Sequence, residues 1–139
     1  MPQPIPYLHF PGTCREAVRF YEQVLGAKVA ALMTYGESPV AAQCEPSTHG
    51  GIMHARLELP GGGVLMAGDC HHGESQGMHG FSLALNLDTT TEAARAFAAL
   101  ADGGTITMPM QATFWAKAWG MLTDRFGVTW LVNGELLPT

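Results

Sequence analysis

The stretches "TCREAVRFYEQVLG" (13–26) and "TTTEAARAFAALADG" (89–103) share the pattern Thr-x-x-Glu-Ala-x-Arg and begin 76 residues apart in a chain of 139 residues. Thr-x-x-Glu predicts the first turn of a helix, because the hydroxyl and the carboxylate satisfy backbone N–H groups that have no partner there. In both stretches apolar residues follow at i, i+3, i+4 and i+7, the spacing of a helix with one buried face. The sequence therefore predicts two equivalent helices, one in each half of the chain.

Short runs with the composition of β-strands surround both helices. One run precedes each helix and three follow it, at 5–10, 28–35, 51–59 and 63–69 in the first half and at 81–87, 104–108, 118–124 and 128–133 in the second. Hairpin turns are predicted at 60–63 and at 124–127, where Asp124 is expected to cap its own turn. We therefore predict one α+β domain (1–139) of two βαβββ modules, about 5–69 and 80–134, with a linker at 70–79. Each module alone would leave one sheet face bare, so the two are expected to pack together.

Composition and charge limit the class of protein. The hydrophobic fraction is 47% and the charged fraction 14%, which is typical of a compact globular chain. No apolar run approaches the roughly 20 residues that span a bilayer, and the first ten residues lack the pattern of a signal peptide. The net charge is −5 and the seven basic residues are scattered, so we expect neither a nucleic-acid nor a membrane partner. Three cysteines without CxxC spacing predict reduced thiols and a cytoplasmic location.

Three long stretches of the chain resemble the PhnB-like subgroup of the vicinal oxygen chelate superfamily, which includes glyoxalase I, extradiol dioxygenases, and the fosfomycin and bleomycin resistance proteins. They are "PYLHFPGTCREAVRFYEQVLGA" from residue 6, "IMHARLELPGGGVLMAGD" from residue 52 and "GGTITMPMQATFWAKAWGMLTDRFGVTWLVN" from residue 103. The resemblance implies that the sheets of the two modules curve around a cup that binds a small molecule. It also implies a homodimer, and in some relatives the modules are exchanged between chains.

Metal-dependent members of this superfamily hold a divalent ion with four ligands, one from the first and one from the last strand of each module. By this resemblance, the first-strand positions are Pro6 and Ser82, and the last-strand positions are Leu65 or Met66 and Trp130 or Leu131. None of these supplies the imidazole or carboxylate that such an ion needs, so the resemblance implies that the usual metal site is lost. His9 lies three residues from Pro6, so it is predicted to face away from the cup.

A rearranged metal site is the alternative. His54 and Glu58 alternate with apolar residues along one predicted strand, and Asp69 ends the next, so these three side chains are candidates for holding a divalent ion. A plain solvated polar face fits the same alternation. His71, His72 and His79 lie in the linker without a regular ligand spacing.

The stretch "TFWAKAWGMLTDRFGVTW" (113–130) contains all three tryptophans. Trp119 and Trp130 are predicted on the two strands of a hairpin, and Trp115 in the loop before them. If these strands face the cup, Trp119 and Trp130 form an apolar floor with Met66, which suits a flat or apolar ligand. Packing in the core or at a dimer interface explains the same residues, and both interpretations stay open.

Two functional hypotheses follow. The first is a protein of the resistance type that holds an apolar or aromatic small molecule without catalysing a reaction. Its ligand contacts are predicted to be His54, Met66, Trp115, Trp119 and Trp130. The second is a metal-dependent isomerase, lyase or dioxygenase with a rearranged site that includes His54; otherwise no catalytic residue is assigned.

Some members of the PhnB-like subgroup carry the name 3-demethylubiquinone-9 3-methyltransferase. Methyl transfer from S-adenosylmethionine usually needs a glycine-rich turn that ends at a helix N-terminus. The glycines at 61–63 lie between two predicted strands and precede no helix. We therefore expect no nucleotide cofactor; a divalent metal ion belongs only to the second hypothesis.

Overall fold

The computed structural model describes residues 2–70 and 77–138. Its helices and strands are β1 (Tyr7–Phe10), α1 (Cys14–Leu25), β2 (Lys28–Thr34), β3 (Ile52–Glu58), β4 (Val64–Asp69), β5 (Leu83–Leu87), α2 (Thr90–Ala101), β6 (Thr105–Gln111), β7 (Ala116–Thr123) and β8 (Thr129–Leu136). Between β2 and β3 the chain forms two short 3-10 turns, Ala41–Gln43 and Pro46–Thr48. The predicted βαβββ order is confirmed in both halves. The largest errors are in β6 and β8, which run three residues past their predicted ends, to Gln111 and Leu136, because their pairing with β7 continues that far.

The chain divides into two compact units, Met1–Gln76 and Gly77–Thr139. Each contains a four-stranded mixed sheet, in the order β1-β4-β3-β2 in the first unit and β5-β8-β7-β6 in the second. In both sheets the first strand pairs in parallel with the last, and the other pairs are antiparallel. The predicted α+β fold is therefore confirmed. Most of the predicted linker (70–79) lies outside the described residues, and neither described helix is long and apolar enough to cross a membrane.

The two helices begin differently although their sequences match. In α2 the hydroxyl of Thr89 accepts a hydrogen bond from the N–H of Glu92 at 3.0 Å, as the Thr-x-x-Glu pattern predicts. In α1 the side chain of Thr13 forms no capping hydrogen bond, so the capping prediction is wrong there. The N–H of Cys14 instead donates to Oδ1 of Asp69 at 2.9 Å. A carboxylate from a distant strand therefore takes over the role that the local threonine was expected to fill.

One face of the first sheet packs against α1, and the other carries no helix of its own unit. The buried face contains alternate residues of β1, β3 and β4: Leu8, Phe10, Ala55, Leu57, Leu65 and Ala67. The opposite face, which we call the first open face, contains Tyr7, His9, His54, Arg56, Met66 and Gly68. The apolar alternation thus decides which polar side chains share a surface.

The second sheet packs against α2 in the same way. A Cβ atom at Gly134 would lie 2.7 Å from Cβ of Ala93, and one at Gly120 would lie 2.7 Å from Cε2 of Phe97, so both glycines lie directly under the helix. Leu122, Trp130 and Val132 share this face and are buried. The opposite face, which we call the second open face, contains Asn86, Trp119, Met121, Leu131 and Asn133.

Candidate functional site

Two neighbouring rows of side chains cross the first open face. The register places Tyr7, Met66 and Arg56 in one row and His9 and Gly68 in the next, and His54 follows Arg56 on the same face of β3. The prediction that His9 faces away from the site is wrong, because His9 shares this face with His54 and Met66. Its alternation with the buried residues Leu8 and Phe10 is the sequence signal that places it correctly.

Tyr7 lies across the sheet from β1 to β3. Its hydroxyl is 3.2 Å from the carbonyl oxygen of Met53 and 3.4 Å from Nδ1 of His54. Its ring centroid lies 5.0 Å from that of His9 and 5.8 Å from that of His54. Gly68 makes this placement possible, because a Cβ atom there would lie only 2.9 Å from the Tyr7 hydroxyl. The missing side chain thus brings a phenol and two imidazoles together.

Burial keeps both Tyr7 and Cys14 protonated. It raises the pKa of Tyr7 above its usual value, with a smaller contribution from Cys14, so the phenol is a hydrogen-bond donor at neutral pH. Burial, followed by the negative charge of Asp69, raises the pKa of the Cys14 thiol to about 12. Cys14 is therefore a packing residue and not a nucleophile, since nucleophilic attack requires the thiolate.

Asp69 lies on the helix-packed side of β4, away from His54. Its two carboxylate oxygens accept hydrogen bonds from the N–H of Cys14 at 2.9 Å and of Ile52 at 2.8 Å. Its carbonyl oxygen accepts a further hydrogen bond from the hydroxyl of Tyr35 at 2.8 Å. Asp69 therefore ties the start of α1, the start of β3 and the loop after β2 to the sheet.

The structure does not assemble the candidate metal ligands. Because Asp69 is committed to backbone N–H groups, it does not join His54 and Glu58, and within residues 2–70 and 77–138 no three His, Cys, Asp or Glu side chains are placed to hold a metal ion. The positions that the resemblance assigns to the metal ligands hold Pro6, Ser82, Leu65 or Met66, and Trp130 or Leu131, and loss of the usual metal site stays a prediction. His79 is exposed, whereas His71 and His72 lie outside the described residues.

An aromatic cluster lies on the second open face. The rings of Trp115 and Trp119 meet edge to face with centroids 5.5 Å apart, and Phe114 meets Trp115 in the same way at 4.8 Å. Nε1 of Trp115 donates to Oδ1 of Asn133 at 3.1 Å, and Nδ2 of Asn133 donates to Oδ1 of Asn86 at 2.9 Å. Phe114 is 89% exposed, so this cluster presents a large apolar surface. Asn133 and Asn86 form the polar base of the cluster, because their hydrogen bonds hold the indole of Trp115.

The turn before β7 fixes the position of Trp115. The hydroxyl of Thr113 accepts hydrogen bonds from the N–H of Trp115 at 3.3 Å and of Ala116 at 3.1 Å. The carbonyl oxygen of Trp115 accepts one from the N–H of Leu137 at 2.7 Å. Sequence reasoning missed Thr113, whose hydroxyl holds the backbone of Trp115, and it missed the asparagine pair, because only the tertiary structure brings Asn133 to the indole.

Asp124 organises the turn between β7 and β8, as predicted. Its Oδ1 accepts hydrogen bonds from the N–H of Phe126 at 2.9 Å and of Val128 at 3.1 Å. Its Oδ2 accepts one from Nε1 of Trp130 at 2.9 Å. The buried carboxylate therefore serves both the turn and the core.

Trp119 and Trp130 lie on opposite faces of the second sheet. Trp130 pairs with Leu122 on the helix-packed face and is only 2% exposed, whereas Trp119 pairs with Asn133 on the open face. The prediction that both tryptophans line one floor is therefore wrong, because strand alternation separates them. Ligand binding by Trp130 stays a prediction that its burial does not support.

The family model described as Glyoxalase/Bleomycin resistance protein/Dioxygenase superfamily matches residues 7–132, and the chain belongs to this superfamily. It is 36% identical over 138 residues to Protein YjdN of Escherichia coli (strain K12), with 92% of each chain covered. Among solved structures, it is similar to protein PA1353 from Pseudomonas aeruginosa, with 46% identity, a TM-score of 0.87, and coverage of 97% of this chain and 98% of that one. A putative 3-demethylubiquinone-9 3-methyltransferase, PhnB protein, from Bacillus cereus follows with 27% identity, a TM-score of 0.72, and coverage of 95% and 98%. The resemblance to the PhnB-like subgroup is thus confirmed.

Proposed function

We propose that the chain binds an apolar or aromatic small molecule through its open sheet faces, without a metal ion and without catalysing a reaction. On the second open face we assign Trp115 and Trp119 as contacts, and on the first open face, taken by itself, we assign His54 and Met66. The observation that carries the proposal is the edge-to-face pair of Trp115 and Trp119, which is only partly buried. Large aromatic side chains are usually buried, and a rigid apolar surface with a few polar groups is typical of small-molecule sites.

The polar base of the aromatic cluster supports a binding role. The indole N–H of Trp115 is satisfied by Asn133, which in turn is held by Asn86. Trp115 is therefore fixed before a ligand arrives, and a preorganised aromatic wall loses little conformational freedom on binding.

Binding of the neutral fluorescent probe N-phenyl-1-naphthylamine tests the proposal. We expect saturable quenching of tryptophan emission by the probe, because Trp115 and Trp119 contact it. Trp115→Phe and Trp119→Phe should each weaken binding about 5- to 30-fold, the loss of about 1–2 kcal/mol expected for part of an aromatic wall. Isothermal titration calorimetry measures this change independently of the fluorescence lost with each tryptophan.

Ala98→Ser is the matched control, because Ala98 is an exposed residue of α2, the helix that packs on the face of this sheet opposite the aromatic cluster. Its dissociation constant for the probe should equal that of the unmodified chain. Equal affinity in all three variants, or no saturable quenching at all, would show that the aromatic cluster is not the site.

Metal analysis of untagged protein separates this proposal from the metal-dependent alternative. We expect less than stoichiometric metal and unchanged probe binding after treatment with EDTA. One equivalent of a divalent metal that is lost in His54→Ala would contradict the proposal and favour the metal-dependent enzyme.

We further propose a homodimer in the cytoplasm. The edge strands β2 and β6 both expose apolar side chains, namely Leu32 and Met33 in the first unit and Ile106 and Met108 in the second. Such side chains favour association with another protein surface. Three free thiols support a reducing compartment. A monomer in sedimentation at micromolar concentration would contradict the dimer.

A further inference from the structure

The second open face contains a chain of hydrogen bonds whose direction is fixed from one end. Nε1 of Trp115 lies 3.1 Å from Oδ1 of Asn133, and Nδ2 of Asn133 lies 2.9 Å from Oδ1 of Asn86. The indole nitrogen carries a hydrogen and can only donate, so Asn133 must turn its oxygen towards Trp115. The nitrogen of Asn133 then meets Asn86, which must present its own oxygen there. The tryptophan therefore decides which way both amides face.

This chain ends in a hydrogen-bond donor at Asn86. Because Oδ1 of Asn86 accepts from Asn133, its NH₂ group is the part of the amide that is left over. Within the described parts of the second unit, 77–138, the side chain of Asn86 makes no other hydrogen bond, and the residue is exposed. A donor of fixed position is therefore open to a ligand on this face.

A cavity of about 530 Å³ borders the same donor. Asn86, Asp88, Lys117 and Glu135 line it, and all of them belong to the second unit. Nζ of Lys117 pairs with Oε1 of Glu135 at 3.3 Å, whereas Asp88 takes part in neither salt bridge of the described residues. The lining thus holds two carboxylates against one ammonium group, which disfavours an anionic ligand.

The aromatic cluster lies within reach of Asn86. Trp119, Asn133 and Asn86 form one row across the sheet, with Asn133 in the middle. Two strand spacings of nearly 5 Å separate the Cα atoms of Trp119 and Asn86 by about 10 Å. The ring of Trp115 lies 5.5 Å from that of Trp119 and is bonded to Asn133. One aromatic ring with a short polar substituent has the size to contact the tryptophans and reach Asn86.

We propose that the ligand of the second open face is an aromatic compound with an uncharged hydrogen-bond acceptor, a ketone or an amide, which Asn86 binds through its NH₂ group. Asn133 is the positioning residue, because it passes the direction set by the indole of Trp115 on to Asn86. A site that offers a fixed donor selects against analogues that have no acceptor for it. This inference deepens the proposed function and rests on it for the aromatic part of the ligand.

Three probes of similar shape test the proposal: acetophenone, α-methylstyrene and benzoate. α-Methylstyrene has a CH₂ group in place of the carbonyl oxygen of acetophenone, and benzoate carries a negative charge. Isothermal titration calorimetry measures the dissociation constant of each probe directly. We expect benzoate to bind more weakly than acetophenone. The ratio of the constants of α-methylstyrene and acetophenone reports the acceptor alone, because the shared ring contributes to both.

Asn86→Asp keeps the oxygen that accepts from Asn133 and replaces only the NH₂ group by an oxygen. The ratio should therefore fall about 3- to 10-fold, the loss of one hydrogen bond. Ala98→Asp is the matched control, since it adds the same charge on α2, the helix that packs on the opposite face of this sheet. It should leave the ratio unchanged.

Asn133→Asp separates a positioning role from a structural one. The new carboxylate still accepts from Trp115, but its second oxygen cannot donate, so Asn86 must turn its NH₂ group inward and its oxygen outward. Acetophenone should then bind more weakly. Phenol, whose hydroxyl donates, should bind about 3- to 10-fold more tightly than it binds the unmodified chain. A merely structural role of Asn133 would weaken the binding of both.

Four results would overturn the inference. They are no saturable binding of acetophenone, binding of benzoate at least as tight as that of acetophenone, an unchanged ratio in Asn86→Asp, and phenol binding that does not tighten in Asn133→Asp.

The two proposals fail separately. If N-phenyl-1-naphthylamine binds through the tryptophans and Asn86→Asp leaves the ratio unchanged, recognition of the acceptor falls and the aromatic site stands. If the ratio depends on Asn86 while Trp115→Phe and Trp119→Phe leave acetophenone binding unchanged, the aromatic site falls and the polar contact stands alone.

Discussion

The two units share one order of helix and strands but use their open faces differently. The first open face groups a phenol, two imidazoles and a guanidinium, whereas the second groups tryptophans over a pair of asparagines. Their helix-packed faces, by contrast, are both apolar. The repeated feature is therefore the one that folding requires, and the residues that differ are those free to acquire a binding role.

The units also differ in how they use one buried aspartate each. Asp69 joins the start of α1 to the start of β3, whereas Asp124 joins a turn to the indole of Trp130. Both are buried, with 9% and 3% of their surface exposed. A buried carboxylate is stable only when its oxygens accept hydrogen bonds, so each fixes a separate part of its unit.

The largest effect is expected from Asp124→Asn. The amide would place an NH₂ group against a donor, either the indole N–H of Trp130 or the backbone N–H groups of the turn. The loss of charge-assisted hydrogen bonds and the unsatisfied donor should lower the free energy of unfolding by about 3 kcal/mol. Urea unfolding followed by tryptophan emission measures it, because all three tryptophans belong to the second unit.

Asp102→Asn is the matched control for that measurement. Asp102 pairs with Arg125 at 3.1 Å, but its side chain is 79% exposed, so its salt bridge should contribute less than about 1 kcal/mol. Equal destabilisation by the two substitutions would show that the three hydrogen bonds of Asp124 stabilise the protein no more than the exposed salt bridge of Asp102 does.

A smaller effect is expected from Gly68→Ala in the first unit. The new Cβ atom would lie 2.7 Å from the carbonyl oxygen of Met53 and 2.9 Å from the hydroxyl of Tyr7, so the phenol must move. We expect a loss of about 1–3 kcal/mol in the free energy of unfolding, the usual cost of overpacking. The imidazole resonances of His54 should shift, since its contact with Tyr7 is disturbed.

Gly61→Ala serves as the control, because no atom lies within 4 Å of the added Cβ and its backbone is not left-handed. It should change stability by less than about 0.5 kcal/mol and leave the His54 resonances in place. Unchanged resonances in Gly68→Ala would mean that Gly68 does not determine where the Tyr7 ring lies.

The smallest expected effect is the loss of stability when the threonine before each helix is replaced, and it should differ between α1 and α2. Thr89→Ala removes the hydroxyl that accepts from the N–H of Glu92, which should cost about 1 kcal/mol. Thr13→Ala removes no capping hydrogen bond, because Asp69 accepts from the first N–H of α1, so its cost should be at most a few tenths of a kcal/mol. Thermal unfolding of both variants measures the difference, and equal losses would contradict the different capping of the two units.

Prediction from the sequence was most accurate where a residue's contacts are with residues close to it along the chain. The repeat of Thr-x-x-Glu with helical apolar spacing was sufficient for both helices and for the βαβββ order. The role of Asp124 in its turn could be predicted from the sequence, because the backbone N–H groups that it binds there lie only two and four residues away. Such contacts are local, and therefore a short stretch of sequence determines them.

Tertiary structure decided which side chains meet. Only the register shows that His9 shares a face with Met66 and Arg56, and that Trp119 and Trp130 lie on opposite faces of their sheet. Likewise, Asp69 replaces Thr13 as the cap of α1 from 55 residues away along the chain. The sequence by itself determined the repeated elements and the superfamily, because these depend on local pattern and resemblance. Strand alternation and long-range hydrogen bonds, which no single stretch contains, decided the composition of each open face.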